Sequence, residues 1–434
     1  METISKISLT EKIASVIKEQ VSISKLSSVD AMRKSAFDTF CTLSIPNRRD
    51  EEWKYATPEP LFKEDLEVAG QPPLKVEDIE QIKLKYADAY FIVTVNGYFD
   101  ERLSSPSIND NIIVCSLKHA FKSYASLGEK HLGKYAASND VFVALNNAAY
   151  TSGVFIFVKE GHQIEKPVYL LNVTSANNKI LINSRNLVVI EKNASVQITE
   201  HFESIGSSTK SVRNHLLECS VSENAKVDYH VIQNDDNNAS SINNIRITQH
   251  RFSNLNIHTL TFGGQYTRNN LHVEHHGENI ESNLNGLFMG SDNQLIDNHT
   301  LVDHQQPNCN SNELYKGILN DHSTGVFNGK IFVRKDAQKT NAYQSSRNIL
   351  LNDNSKINTK PQLEIYADDV KCSHGTSTGH MDEEAVFYLQ ARGIGRESAK
   401  LLLMHAFAGE VLDKIESEEV KILAEKLVSK KLLL

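Results

Sequence analysis

Two residues near the end of the chain, Cys372 and His374, have the types and the spacing that suit metal chemistry. They follow the alternating residues Leu363 and Ile365, and in an extended chain residues two apart point to the same face. A thiolate beside an imidazole suits a borderline-soft metal such as iron or zinc. Two ligands do not fill a tetrahedral site, and free cysteine is often only a small buried hydrophobe. The pair therefore leaves open a structural cysteine and a site completed by a second subunit.

A histidine-rich segment, residues 271–276, is a second place where candidate ligands cluster. Strand alternation would place three of its side chains on one face: His272, Glu274 and His276. His275 would take the other face. We interpret these as solvent-exposed strand residues and assign no metal site to them, nor to His304 with Cys309.

The composition excludes several classes of protein. The chain has 434 residues and a net charge of −8, and it shows no long basic run, which argues against nucleic-acid binding. No apolar stretch approaches the roughly 18 residues of a membrane span, and the N-terminus lacks the apolar core of a signal peptide. Five scattered cysteines favour a reduced cytoplasmic protein over a disulfide scaffold: Cys41, Cys115, Cys219, Cys309 and Cys372.

The first part of the chain, residues 1–150, is predicted to be an α-rich region. Apolar residues recur at helical spacing in residues 9–19 and 29–43, while 90–95 has the pattern of a strand. The only tryptophan, Trp53, is interpreted as a packing anchor between the helical arm and the next element.

The middle part, residues 151–378, is predicted to be all β. Short alternating runs recur there with polar turns, and helical periodicity is absent for about two hundred residues. Similar turns occur at Asn193, Asn224 and Asn354, the first two 31 residues apart. Such a period is typical of a solenoid, and asparagine tolerates the left-handed conformation. We therefore predict a parallel β-helix.

The last part, residues 379–434, is predicted to be a helical domain. A broad apolar face is expected on its longest helix: Ala399, Leu402, Leu403, Ala406, Phe407, Val411 and Ile415. We expect this face to be mainly core, although part of it could dock a partner. These helices are also expected to cap the open end of the solenoid.

Several ungapped blocks resemble the shared core of the SufB/SufD family of iron–sulfur cluster assembly proteins. They are residues 302–304, 307–309, 315–319, 325–330, 336–340, 359–364, 367–375, 382–384 and 392–394. Residues 48–55 are similar to the N-terminal element of the SufD-type members, and the cysteine cluster often found in SufB is absent. So many long blocks are far more specific than a short motif.

The resemblance implies a right-handed parallel β-helix between an N-terminal region and a C-terminal helical domain. It implies a non-catalytic scaffold that pairs with SufB through the β-helix and binds the SufC ATPase through residues 380–434. Cys372 and His374 match the pair at the family's interface, where His374 would help to hold a transient iron–sulfur cluster with the partner chain. Flavin binding and a homodimer of the isolated chain are left open.

Two other functions compete with this one. A polysaccharide-cleaving β-helix enzyme needs paired carboxylates in a groove. Asp368 and Asp369 would face opposite sides of a strand, and a secretory signal is missing. The other competitor is a plain interaction scaffold in which Cys372 and His374 only pack. Loss of cluster assembly on mutation would separate it from the cluster scaffold.

Overall fold

A computed structural model describes residues 8–22, 27–80, 82, 88–206 and 210–433. The α-helices are α1 Leu9–Ile17, α2 Ser27–Thr42, α3 Val76–Glu80, α4 Leu117–Ser123, α5 Ala125–His131, α6 Val141–Ala149, α7 Glu383–Gln390, α8 Arg396–Leu412 and α9 Glu418–Leu432. Short 3₁₀ turns cover Gln20–Ser22, Glu51–Trp53 and Glu59–Phe62. The expected helices near the N-terminus, at 9–19 and 29–43, are confirmed as α1 and α2.

The strands begin in the N-terminal region, and between residues 152 and 380 the described residues contain strands and turns without an intervening helix. They are β1 Glu67–Val68, β2 Tyr90–Val95, β3 Tyr98–Phe99, β4 Ser107–Ile108, β5 Ile112–Ser116, β6 Ser152–Val158, β7 Val168–Thr174, β8 Ile180–Ile190, β9 Ser195–Ser204, β10 Ser211–Val221, β11 Lys226–Asn234, β12 Ala239–Gln249, β13 Asn254–Thr261, β14 Tyr266–His275, β15 Glu281–Gly290, β16 Leu295–His304, β17 Asn310–Leu319, β18 Thr324–Val333, β19 Asn341–Leu350, β20 Lys356–Ile365 and β21 Lys371–His380.

These strands form a parallel β-solenoid of about 8 turns, as the sequence predicts. Each coil gives one strand to each of two facing sheets. Sheet A has the order β20-β18-β16-β14-β12-β10-β8-β6-β5-β4, and sheet B has the order β21-β19-β17-β15-β13-β11-β9-β7-β2-β3. The sheets start inside the N-terminal region, because β2 pairs with β7 and β5 pairs with β6.

In six successive coils, from β8–β9 to β18–β19, one turn contains a non-glycine residue with a left-handed backbone. These residues are Asn193, Asn224, Phe252, Asn279, Asn308 and Lys339, with φ between 57° and 61°. They stack, since the N–H of Asn193 donates to the Glu223 carbonyl and that of Asn224 to the Arg251 carbonyl, both at 3.0 Å. Asparagine suits this conformation, so the prediction for the first two turns is confirmed. Asn354 lies instead in the turn between β19 and β20, on the other side of the coil.

Side chains that point into the solenoid stack in register from coil to coil. One apolar column runs through Ile198, Tyr229, Ile257 and Leu284, all buried. Each such aliphatic side chain contributes roughly 1.5–3 kcal/mol by leaving water. This alternation of inward apolar residues is what holds the coils in one register.

The N-terminal region covers the outer face of the first sheet A coils. Helix α6 packs on β8 and β10, and Asn146 donates to the carbonyls of Ser184 (2.8 Å) and Asn214 (3.0 Å). Trp53 is buried, its ring centroid lying 5.3 Å from that of Phe142. The expected packing anchor is confirmed.

The C-terminal helices lie on the side of the solenoid and not over its end, so the expected cap is wrong. Helix α8 contacts β15 and β17. It joins an apolar cluster formed by side chains that point outward from β13, β15 and β17 of sheet B: Leu260, Leu287, Leu314 and Ile318. Lys316 fixes the contact through an ion pair with Glu410 and a 2.9 Å hydrogen bond to the Phe407 carbonyl. Along the described chain, no helix combines the length and apolarity needed to cross a bilayer.

The face of α8 that is buried overlaps the predicted one only in part. Ala399 and Val411 are buried as predicted, whereas Leu402 and Ala406 are exposed. Met404 and Ala408, which lie outside the predicted set, are buried instead.

Candidate functional site

The last coil of the solenoid, formed by β20 and β21, has a neighbouring coil on one side only. Both strands are ten residues long, and all of β21 is exposed except Cys372, which is half-buried. Long, unpaired edge strands are templates for association with another chain. The structure thus places Cys372 and His374 on an open edge.

Cys372 and His374 share the face of β21 that continues the inside of the solenoid. Cys372 is in register with the buried Ala342 and packs among Ile331 and Val333 of the preceding coil. Burial raises the pKa of the Cys372 thiol above its ordinary value. His374 is exposed, so its imidazole is free of the apolar contacts that hold the cysteine. The two residues are adjacent, but only His374 is fully accessible from the open end.

A polar column leads from His374 into the solenoid. His374 on β21 is in register with Gln344 on β19, and Gln344 is in register with Glu313 on β17. One coil earlier, on β15, the same position is occupied by Leu284. Gln344 Nε2 donates to Glu313 Oε2 at 2.6 Å, and both side chains are buried. Oε1 of each has no hydrogen-bond partner within the described part of the chain. The apolar column of the earlier coils therefore ends in unsatisfied acceptors behind His374.

Burial raises the pKa of Glu313 to about 7, and the hydroxyl of Thr300 and the amide of Gln344 oppose part of that shift. A carboxyl group at this position can therefore exchange a proton near neutral pH. Gly329 makes room for the pair, because a Cβ at that position would lie 2.2 Å from Gln344 Nε2.

Glu313 makes a testable contribution to the pH dependence of stability. Its folded pKa lies above the unfolded value, so the folded state keeps a proton that the unfolded state loses as the pH rises from about 4.5 to 7. We expect Glu313→Gln to gain roughly 3 kcal/mol in free energy of unfolding relative to wild type between pH 4.5 and 8. Urea unfolding of both proteins at pH 4.5 and pH 8 measures this difference in the free energy of unfolding. Glu384→Gln, at an exposed position, is the matched control, and parallel curves for wild type and Glu313→Gln would contradict the assignment.

The expectation that His275 is solvent-exposed is wrong. His275 and His304 are in register on β14 and β16, point into the solenoid and are completely buried. Cys309, also buried, joins them from the turn before β17, so these three residues form a group with the spacing of metal ligands. His276 is exposed as predicted and contacts Glu274 at 2.9 Å.

Exposed apolar side chains gather on α7 and α8. Phe387 is 71% exposed, Tyr388 56% and Leu402 51%. Asp382 caps α7 by accepting from the Ala385 N–H, and Glu383 pairs with Arg396 at 2.8 Å, which ties α7 to α8. These two helices thus present a surface whose exposed apolar residues are Phe387, Tyr388 and Leu402.

Reasoning from the sequence overlooked Glu313 and the grouping of His275, His304 and Cys309. Both depend on which residues of different coils are in register, and the coils differ in length. One pattern in the sequence did point to Glu313. It alternates along the strand with Ser311 and Tyr315, and all three side chains face inward. Asp368 and Asp369 lie in the turn between β20 and β21, not in a strand as assumed.

The chain matches two models of known protein families. Residues 172–407 match the SufBD core domain of SUF-system iron–sulfur cluster assembly, and residues 7–170 match the SufBD N-terminal region. The chain is 32% identical to an iron–sulfur cluster assembly SufBD family protein of Synechocystis, over 93% of this chain and 92% of the relative. It is 29% identical to the iron–sulfur cluster assembly protein SufD of Escherichia coli, over 87% of each chain. A chloroplastic protein of Arabidopsis thaliana, ABCI7, is 27% identical over 94% of this chain and 88% of its own.

The core match covers more than half of the chain, and it includes the open last coil, the polar column and the buried group. The solenoid, its flanking helices and these matches agree, and the chain belongs to the SufBD family of SUF-system iron–sulfur cluster assembly proteins.

Proposed function

We propose that this chain is a non-catalytic scaffold subunit of a SUF complex that pairs with SufB and binds the SufC ATPase. An iron–sulfur cluster is its transient cargo, formed at the interface of the two scaffold chains. The free state of all five cysteines fits the reducing cytoplasm that such chemistry requires.

The observation that carries the proposal is the open last coil. Two adjacent ten-residue strands end the sheets, and the C-terminal helices leave them uncovered. A partner with a similar solenoid end could extend both sheets by main-chain hydrogen bonds. Such pairing would enclose His374 and Cys372, and the partner would supply the ligands that two residues cannot.

The residue types at this edge suit a cargo that must leave again. A histidine ligand can be protonated near neutral pH and holds a cluster less firmly than a thiolate. Movement driven by the ATPase on α7 and α8 would reach the interface through the contacts of α8 with β15 and β17. The two-state element in this mechanism is the interface between the two scaffold chains.

A charge on the open edge tests the pairing. Thr376, which is exposed on β21, is replaced by lysine, and the recovery of SufB with the tagged chain is measured by pull-down and mass spectrometry. We expect at least a tenfold loss, which corresponds to about 1.4 kcal/mol of binding free energy. Ser105→Lys places the same charge at an exposed position in the N-terminal region and should change nothing. Unchanged recovery of SufB with Thr376→Lys would refute pairing through this end.

Gel filtration of the isolated Thr376→Lys chain adds a second readout. A homodimer of the wild-type chain that the substitution converts to a monomer would show that the same edge pairs two copies when SufB is absent.

A further inference from the structure

Three buried side chains in the middle coils, His275, His304 and Cys309, direct ligand atoms into one small space. Nδ1 of His275 lies 3.2 Å from Nδ1 of His304, and one ligand atom from each of the three residues lies within 4.8 Å of the others. Two imidazoles and a thiolate are donors that zinc and iron accept. His304 and Cys309 lie two coils from the last one and His275 lies three coils from it, so the group is separate from the proposed cluster interface.

A directed chain of hydrogen bonds determines which nitrogen of His275 carries its proton. Ser253 Oγ donates to a main-chain carbonyl at 2.6 Å, so it accepts from Gln249 Nε2 at 3.2 Å. The amide of Gln249 therefore turns Oε1 toward Ser282, whose hydroxyl donates to it at 2.5 Å. Having used its one proton, Ser282 accepts from Nε2–H of His275 at 2.7 Å. Nδ1 of His275 is left with a free lone pair that points into the group.

His304 can adopt the same tautomer when a cation is present. Its Nε2 lies 2.9 Å from Ser311 Oγ, and a hydroxyl can donate or accept. Without a cation, Nδ1–H of His304 can donate to Nδ1 of His275. With a cation, the proton moves to Nε2 and Ser311 accepts it, so both Nδ1 lone pairs face the ion. Outer hydrogen bonds of this kind orient the histidine ligands of metal sites.

The spacing agrees with a shared ion. Two nitrogens, each about 2.0–2.1 Å from a tetrahedral zinc ion, lie roughly 3.3 Å apart, and the observed separation is 3.2 Å. Cys309 Sγ–H donates to the Gly277 carbonyl at 3.2 Å, and burial raises the pKa of this thiol to about 11. Cation binding would release that proton and form the thiolate. Three protein ligands leave a fourth position for water.

A surface cleft lies next to the group. It is lined by His250, His276, Gly277 and Gln306, and the Gly277 carbonyl is the group that Cys309 contacts. Cys309 therefore touches the main chain that lines this cleft.

We propose that His275, His304 and Cys309 form a binding site for one borderline-soft divalent cation, Zn²⁺ or Fe²⁺. The site is internal to this chain and is distinct from the cluster carried at the interface with a partner.

Cobalt titration of the full chain tests the site, because Co²⁺ reports thiolate ligation by a charge-transfer band and coordination number by its visible spectrum. The titration uses metal-free protein that carries Cys372→Ala and His374→Ala, so that the open edge contributes no signal. We expect one Co²⁺ per chain with a thiolate band, displaced by Zn²⁺ and, anaerobically, by Fe²⁺. The proposed partner pairing does not affect this result.

Matched variants identify the ligands. Cys309→Ser keeps a donor for the Gly277 carbonyl and should abolish the band, whereas Cys219→Ser, at another buried cysteine, should leave it intact. Ser282→Ala, which removes the acceptor of His275 Nε2–H together with the hydroxyl that donates to Gln249 Oε1, should weaken Co²⁺ binding about 10–100-fold.

A folded background protein without the band would overturn the proposal by itself, whether or not Cys309→Ser folds. A band that persists in Cys309→Ser would do the same. In either case the group is a hydrogen-bonded cluster of the core.

Discussion

Replacing His374 by alanine is expected to lower the iron and sulfide content of the assembled scaffold complex roughly tenfold or more. The imidazole lies exposed on β21 and the partner would complete its site, so folding and complex formation should stay nearly intact. Iron and sulfide are measured in anaerobically purified complexes, and gel filtration checks that the complexes are whole.

The same strand offers a matched control for this experiment. His380 is a second exposed histidine on the same face of β21, and its Nδ1 lies 3.2 Å from the Leu350 carbonyl. His380→Ala should keep full cluster content. Cys372→Ala should lower it more weakly than His374→Ala or leave it unchanged, because a partner cysteine could serve as the thiolate. Unchanged loading in the His374 variant would favour a scaffold on which these residues only pack.

An acidic residue in place of Phe387 is expected to weaken SufC binding by at least about 2 kcal/mol, or roughly 30-fold. Phe387 is 71% exposed on α7 and is the most exposed aromatic residue of the surface formed by α7 and α8. Large aromatic side chains often dominate the binding energy of an interface, and burying the new carboxylate there would be costly. Binding is measured with purified SufC by calorimetry.

Phe252→Asp is the matched control, since Phe252 is 46% exposed in a solenoid turn, far along the chain from α7. Full-strength SufC binding by Phe387→Asp would exclude this surface. A point substitution is sharper than deleting residues 380–434. That deletion would uncover Leu260, Leu287 and Ile318 and could unfold the chain for reasons unrelated to SufC.

Local features of this protein could be predicted from the sequence because short-range physics decides them. The strand at Tyr90–Val95 is confirmed with its predicted bounds, and Asn193 and Asn224 adopt the left-handed turns that asparagine favours. Trp53 packs as expected. Each of these outcomes depends on neighbours in the chain or on the side chain itself.

Features that depend on register between coils could not be predicted in this way. The meeting of His275 with His304 requires the 29-residue offset between β14 and β16, and a shift of one residue would turn one of them outward. The position of α8 depends on outward apolar residues such as Leu287. In a strand whose consecutive residues are mostly apolar, alternation cannot distinguish the outward-pointing side chains from the inward-pointing ones.

The parallel stacking of the coils also distributes stability unevenly along the molecule. In a solenoid each coil is stabilised mainly by its two neighbours, and the coil of β20 and β21 has only one. Local opening should therefore require least free energy there, while the coils beneath it stay closed. A cargo held by His374 would sit on the coil that can rearrange at lowest cost, so that it could be taken up and released without unfolding the rest of the chain.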